Sequence, residues 1–487
     1  MAYIAFAAAL VFPIVQFERA TIRNLRKAEV FDRNHPDWTS AVAAAGGPRR
    51  PKQHKGAIGR WCKAVKPFWK GVNIYQQRPG PIGPDGHKQP ALHPNMPFVV
   101  ILLTPLAYMP TEAMALTWSL LKLGAIVAAI FMTAEIAGHK GKRIPDWILA
   151  LGLLWSILMI TDDMLHGNTN AFVLAAVAGH VWLFRRGKDI YAGAVLALAI
   201  CLKMTPAIFL LYWLYQRNWR LLTAAMTALM LMAVAVPLAV LGPGHYLILA
   251  KTWLANLIIP GLVKGAAYPI HINQSIPGVL SRYFMPKGHP DGNIFWNPDD
   301  NPYQSQDQFG WITICSLSPA MVKALMRGCQ VLVVALGAWA IGWRKLARDD
   351  ARRALHYGTV ILAMLMLNQR TWEHHGPVTL VATVAIWQAI AFGCMPRRVR
   401  LCSLILVLVG GSVFWLTKSD AVVAMARAFG HSKSHAGIVA DQVEAYGPML
   451  FWLGAVFLAT VASSVVLRRK ECPYADTRQR LGAQTDG

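Results

Sequence analysis

The chain has 487 residues, 55% of them apolar, yet carries a formal charge of +24. A soluble domain would spread that apolar content through amphipathic periods. Here it is gathered into uninterrupted blocks between short basic connectors, which excludes a soluble globular class. The Lys and Arg residues sit mostly at block ends, where they mark the cytoplasmic side and meet anionic headgroups, so the charge needs no nucleic-acid partner.

Four blocks set the class: Leu221–Leu241, Ala320–Trp343, Leu401–Leu416 and Met449–Leu467. Runs near 20 residues match a hydrocarbon core of roughly 30 Å at about 1.5 Å per residue. Their even apolarity does not suit barrel strands, which alternate. The expected fold is an all-α polytopic membrane protein of roughly 10–12 spanning or half-spanning helices.

In chain order, Ala2–Phe17 lacks a basic leader and a small-residue cleavage site, so a first membrane helix is expected rather than a removed signal. A polar, basic segment, Glu18–Asn95, reads as a first outer loop, although its charge opposes the positive-inside rule. Phe98–Met109 is broken at Pro105 and reads as a half-span, and Thr111–Gly138 as a full one. The basic loops Lys140–Arg143, Arg185–Lys188, Arg217–Arg220, Arg344–Arg353, Arg397–Arg400 and Arg468–Lys470 are assigned to the cytoplasm. The opposite side then receives Asp162–Asn170, Gly242–Ser318, Asn368–Gly376 and Thr417–Pro448. Ile190–Gln216 has basic loops at both ends and a polar break, Lys203-Met-Thr-Pro206, at its centre; it reads as two half-helices turning inside protein. One domain, 1–467, with outer loops at 18–95 and 242–318 and a cytoplasmic tail at 468–487, follows.

Ionisable groups within or at the rim of spans are the informative residues. Asp162 and Asp163 end one span and lead into His166-Gly-Asn168-Thr-Asn170; adjacent carboxylates near low dielectric suit a general base or a cation site, and also a solvated helix end. Lys203, at the hairpin break, suits a lipid phosphate, or snorkels. Lys122 lies too deep in its span to snorkel and is expected to face the bundle. Trp372-Glu373-His374-His375, after Arg370, offers acid/base or phosphate contacts; its spacing is not that of a helical zinc site, and a plain polar turn is the alternative. Asn273 and Gln274 suit sugar hydroxyls, or a cap for the helix starting near Ile276. The loop Pro286–Phe309 has a sugar-facing composition that ordinary loops share. The seven cysteines form no CxxC pair, and no Walker or GxGxxG pattern appears.

Taken in order, these segments resemble glycosyltransferase family 87. The residues carrying the resemblance are Gly71-Val-Asn-Ile-Tyr75, His93-Pro-Asn-Met-Pro97 with Thr104-Pro-Leu-Ala107 and Trp118, and the long stretch His166-Gly-Asn168 … Arg185-Arg-Gly … Ala192-Gly193 … Lys203-Met-Thr-Pro206 … Arg217-Asn-Trp-Arg220. Asn273-Gln-Ser275 and Trp372-Glu-His-His375 follow. The resemblance implies a GT-C bundle in a bacterial inner membrane, with its active site facing outward. It implies inverting, metal-independent transfer of mannose or another sugar from a polyprenyl-phosphate donor to a glycan or glycolipid acceptor, with no further cofactor. In such enzymes an acid early in the first outer loop usually serves as general base. The matching position here falls near Ala57–Ile58, in Gly56-Ala-Ile-Gly-Arg60-Trp61, and holds no carboxylate. Asp32, Asp37 or the Asp162/Asp163 pair are the substitutes.

The expected function is therefore a lipid-linked glycosyltransferase. Asp163 or Asp162 would act as base, Lys203 and Arg60 would hold phosphate, and His166, Asn168, Asn273, Gln274, Glu373, His374 and Tyr75 would line the substrate site. Broken helices with buried charge also fit a transporter or flippase of a polyprenyl-linked substrate. The halves show no internal repeat, however, and the large outer loops favour an enzyme. The missing first-loop acid keeps an inactive family member as a third reading.

Overall fold

A computed structural model describes residues 2–36, 56–76, 93–138, 144–263, 265, 267, 269–285 and 312–468. Asp37, the loop Lys140–Arg143, the loop Pro286–Phe309 and the tail beyond Arg468 lie outside these residues. The described elements are helical throughout, and eight helices are long and apolar enough to cross a membrane. Three shorter apolar helices accompany them, which agrees with the expected mixture of spanning and half-spanning segments. The protein is an all-α, multi-pass membrane protein.

The first helix, α1 (Ala2–Asn34), runs on well past Phe17, and α2 (Gly56–Trp69) follows, so much of the supposed first loop is helical. Two short pieces, α3 (Pro97–Leu102) and α4 (Thr104–Ala107), flank the break before Pro105. The spans α5 (Thr111–Ala137) and α6 (Asp146–His166) come next, then α7 (Asn170–Arg185) and α8 (Asp189–Leu202). The chain breaks at Lys203, whose backbone is extended, and re-forms through a short turn at Thr205–Ala207 into α9 (Ile208–Tyr215). Proline at 206 supplies no N–H to continue a helix, so the hairpin turns there.

After α10 (Trp219–Leu241) the structure differs from the sequence reading: Pro243–Val263 forms another apolar helix, α11, instead of starting an outer loop. Gly242 at φ +77° and Pro243 at the first helical position punctuate two helices where the hydropathy pattern shows one block and a loop. The helices α12 (Ile276–Phe284), α13 (Pro319–Ile341), α14 (Arg352–Leu367), α15 (Glu373–Phe392), α16 (Arg397–Leu416), α17 (Ser419–Ala428), α18 (Lys433–Ala445) and α19 (Pro448–Arg468) complete the bundle.

The centre is α15, 94% of whose apolar window is buried, whereas α10 shows only 11%. Lipid is as apolar as leucine, so buried spans associate by close packing and interhelical hydrogen bonds rather than by hydrophobicity. Small residues provide both. Gly152 of α6 lies against the backbone of Val384 in α15, and Ser156 of α6 lies within hydrogen-bonding distance of Thr379 and Thr383. Gly193 of α8 packs as closely on Leu221 and Ala225 of α10.

The described basic connectors gather at one end of the bundle, where their guanidinium groups cap helix C-termini. Arg185 donates to the carbonyls of Ile136 and Gly138, Arg400 to Gly393 and Arg468 to Trp339. Arg348 pairs with Asp189 and donates to the Phe184 carbonyl. Carbonyls in a helix's last turn have no intrahelical partner and sit at the negative dipole end, so arginine satisfies both. The opposite end carries the groups read as chemistry.

Candidate functional site

The site is built where α6 ends. Gly167, in the left-handed region at φ +61°, terminates α6, and its carbonyl accepts from the Trp118 indole and from the Ile58 backbone N–H. Gly56 lies so close that a Cβ there would sit 2.7 Å from the His166 carbonyl. The segment Gly56–Trp61, where the expected first-loop acid is missing, thus abuts the helix end that carries the two aspartates.

Those aspartates point differently. Asp163 is fully buried: its carboxylate lies 2.8 Å from the Lys122 ammonium and accepts from Asn170 Nδ2 (2.9 Å) and the Ala171 N–H (3.1 Å). Lys122 also donates to the Asp163 carbonyl at 2.5 Å, which names the partner that the depth of this lysine demands. With its oxygens so engaged, Asp163 is an internal anchor.

Asp162 turns the other way, into a partly open cluster. His166, one turn on, approaches it at 3.3 Å, and His374 Nδ1 lies 3.9 Å from its second oxygen. The rings of His166 and His374 stack at 4.6 Å, and Trp372 and His375 border His374 edge-on. His374 is buried while His166 stays exposed, so the carboxylate is reached from the His166 side. Asp162, His166 and His374 bring ligand atoms within 4.8 Å of one another, a spacing that a metal ion would also accept. Glu373 pairs with Lys418, a residue of the last outer segment that the sequence reading passed over. Glu373 also sits in the first turn of α15, where a carboxylate favours the positive helix dipole.

Lys203 is tied through Asn170 to Asp163. Its ammonium donates to Asn170 Oδ1 at 2.6 Å, and Asn170 in turn donates to Asp163. The result is a line from Lys122 through Asp163 and Asn170 to Lys203. Asn168 is half-buried and folds back on the Thr169 N–H.

Four other expected site residues lie elsewhere or are already engaged. Asn273 is completely buried: Nδ2 donates to the Gln369 carbonyl, and Oδ1 accepts from Ser275 and from the Thr371 N–H. Gln274 bonds the carbonyls of His271 and Glu444 and the N–H of Met449. These two amides fasten the 270–275 turn to the 369–371 connector and to α18–α19, and Ser275 caps α12 through the Gly278 N–H. The Tyr75 hydroxyl donates to the Asn95 carbonyl inside the first-loop core. Arg60 is exposed on α2, away from that helix's buried face.

Two further features escaped the sequence reading. His271, Asp441 and Glu444 form a second cluster beside Arg282, assembled from segments about 170 residues apart. Burial, with the Arg282 charge, lowers His271 to about 4. Glu18 accepts from Ser119 beside the α6 end, and a helix running past Phe17 is what carries it there.

Comparison with known proteins bears on the same stretch. The sequence model of glycosyltransferase family 87 matches residues 95–368. A polyprenol-phosphate-mannose-dependent alpha-(1-2)-phosphatidylinositol mannoside mannosyltransferase of Mycobacterium tuberculosis is 27% identical over 328 residues, 62% of this chain and 63% of that protein. A polyprenol-phosphate-mannose-dependent alpha-(1-2)-phosphatidylinositol pentamannoside mannosyltransferase of Mycolicibacterium smegmatis is 26% identical over 57% of each chain. The chain thus spans less than two thirds of the length of these relatives. With more than half of its own residues matched by the family's pattern, the chain belongs to glycosyltransferase family 87.

Proposed function

We propose that the protein is a membrane glycosyltransferase that moves a sugar, mannose or another hexose or pentose, from a polyprenyl-phosphate carrier to an extracytoplasmic glycan or glycolipid. The observation that carries this reading is the Asp162 carboxylate, accessible and flanked by His166 and His374, one residue from the line that ends in the Lys203 ammonium. Asp162 takes the proton of an acceptor hydroxyl, and that oxygen attacks the anomeric carbon from the face opposite the phosphate. The bond from sugar to phosphate oxygen breaks, and the polyprenyl phosphate leaves as an anion beside Lys203, with inversion and without a metal. Asp162 replaces the first-loop acid because the segment that lacks it packs on the end of the same helix.

Membership of the family, and the donors named for the mannosyltransferase relatives, support the donor class. Basic connectors at the far end of the bundle support an outward site in the cytoplasmic membrane. The test incubates purified protein with labelled polyprenyl-phosphate mannose and a phosphatidylinositol mannoside acceptor. Acceptor-dependent release of polyprenyl phosphate is expected, and Asp162→Asn is expected to remove at least about a hundredfold of the rate. Full activity in Asp162→Asn would reject this base, and donor crossing liposomes without bond cleavage would reject transfer in favour of transport.

A further inference from the structure

The lipid-facing wall of α13 holds two cations that the proposed transfer does not use. Met321, Leu325, Val331, Leu332 and Val334 make most of this helix an exposed apolar surface. Lys323 and Arg327 interrupt it, four residues apart and so on one helix face. Both line a cavity of about 230 Å³ between α13, the end of α11 and the 369–371 connector. Gln330 and Gln369 complete its polar wall, Val263 and Met326 its apolar one, and among the described lining residues none is acidic.

Arg327 does not run for the helix end, as a snorkelling arginine would. Its guanidinium donates to the Leu262 carbonyl (3.4 Å) and to Gln330 Oε1 (3.3 Å), and Gln330 is itself held on the Leu367 carbonyl. Leu262 belongs to the last turn of α11, where carbonyls have no intrahelical partner. Gly265, at φ +66°, passes so near that a Cβ would lie 3.3 Å from the same guanidinium. Gln369 Oε1 is buried with no hydrogen-bond partner among the described residues, leaving an acceptor for a hydroxyl. Two cations, an open acceptor and an apolar flank match a phosphate that carries an alcohol on one side and a hydrocarbon chain on the other. The wall is shared with the reaction cluster, because the Gln369 carbonyl holds Asn273 and Glu373 follows four residues later.

We infer that Lys323 and Arg327 form a site for the phosphate of a membrane lipid entering sideways between α11 and α13. The phosphate assignment stands on the cavity; identifying that lipid with the sugar donor rests on the transferase reading. The experiment adds a polyprenyl phosphate, phosphatidylglycerol or phosphatidylcholine to the purified full chain in detergent and counts bound lipid by native mass spectrometry. The double variant Lys323→Gln/Arg327→Gln is expected to bind anionic lipid at least about tenfold more weakly. Phosphatidylcholine binding and an Arg220→Gln control at the other end of the bundle are expected to match the unaltered protein. A charge-conserving Lys323→Arg/Arg327→Lys pair, expected to keep most of the binding, separates loss of charge from loss of fold. Loss of polyprenyl phosphate alone assigns the donor. Loss of both anionic lipids keeps the phosphate site and removes its link to the donor. Unchanged binding in the double variant, or equal loss of phosphatidylcholine, overturns the site.

Discussion

Lys122 and Asp163 lie 2.8 Å apart, ammonium to carboxylate, with both side chains sealed from solvent between α5 and α6. Two isolated charges at that depth would be untenable singly, and removing one leaves the other uncompensated, at a cost of ~3–5 kcal/mol. Lys122→Met is therefore expected to lower the melting temperature strongly. Adding Asp163→Asn, which removes the orphaned charge and keeps one acceptor oxygen for either Asn170 or Ala171, is expected to recover part of the loss. Thermal unfolding in detergent of the two singles and the double would show it, and strictly additive losses would refute a coupled pair.

Lys203 reaches its position through Asn170, so the two residues form one device. Lys203→Gln is expected to raise KM for the polyprenyl-phosphate donor by about tenfold, the loss of one charged phosphate contact. Asn170→Ala is expected to reproduce part of that effect and also to loosen Asp163. Steady-state kinetics alongside melting curves separates them: Lys203→Gln should leave the melting temperature near that of the unaltered protein.

These contrasts bear on what the sequence reveals. The helical class, the break at Lys203 and the inward-facing Lys122 are legible because hydropathy and charge act locally, and lipid tolerates no exposed polar backbone. The roles of Asp162 and Asp163 are not legible. They are neighbours in sequence, and only the 100° turn between consecutive helical residues sends one to Lys122 and the other to His374. Asn273 and Gln274 mislead for a related reason: an amide suited to a sugar hydroxyl is equally suited to a carbonyl from a segment a hundred residues away. The continuation of α1 past Phe17 escapes notice because its second half is too polar for a span, and α11 because a glycine and a proline resemble the start of a loop. Clusters such as His271, Asp441 and Glu444 carry no spacing signal at all.

His93 offers a test by pH. Its Nδ1 faces the Asn95 carbonyl at 3.3 Å, and its Nε2 is buried between Trp61 and Tyr75 without a partner among the described residues. Burial, helped by the nearby Arg60 charge, lowers it from 6.5 to about 4. The unfolded chain thus binds this proton at a higher pH than the folded one. The contribution is complete above about pH 6.5 and is lost progressively as pH falls towards 4. Melting temperature is expected to fall across that window, and His93→Gln to flatten this part of the slope. A slope unaltered by the substitution would mean that other groups carry it.

The crossing of α6 and α15 links stability to the site. A Cβ on Gly152 would sit 2.3 Å from Val384 Cγ2 and 3.1 Å from the Val384 backbone, so the helices cannot keep their separation if the glycine is replaced. Gly152→Ala is expected to cost ~1–3 kcal/mol through overpacking. Because Glu373 and His374 occupy the first turn of α15, the displaced helix should also lower transfer activity, without any change in the residues that touch substrate. Val384→Ala removes the Cγ2 contact and leaves the backbone one, so Gly152→Ala/Val384→Ala is expected to regain part, not all, of both stability and rate. A double-mutant cycle read by melting temperature and by turnover checks the coupling. If Gly152→Ala lowered stability while turnover stayed unchanged, the position of α15 would not govern the cluster at its end.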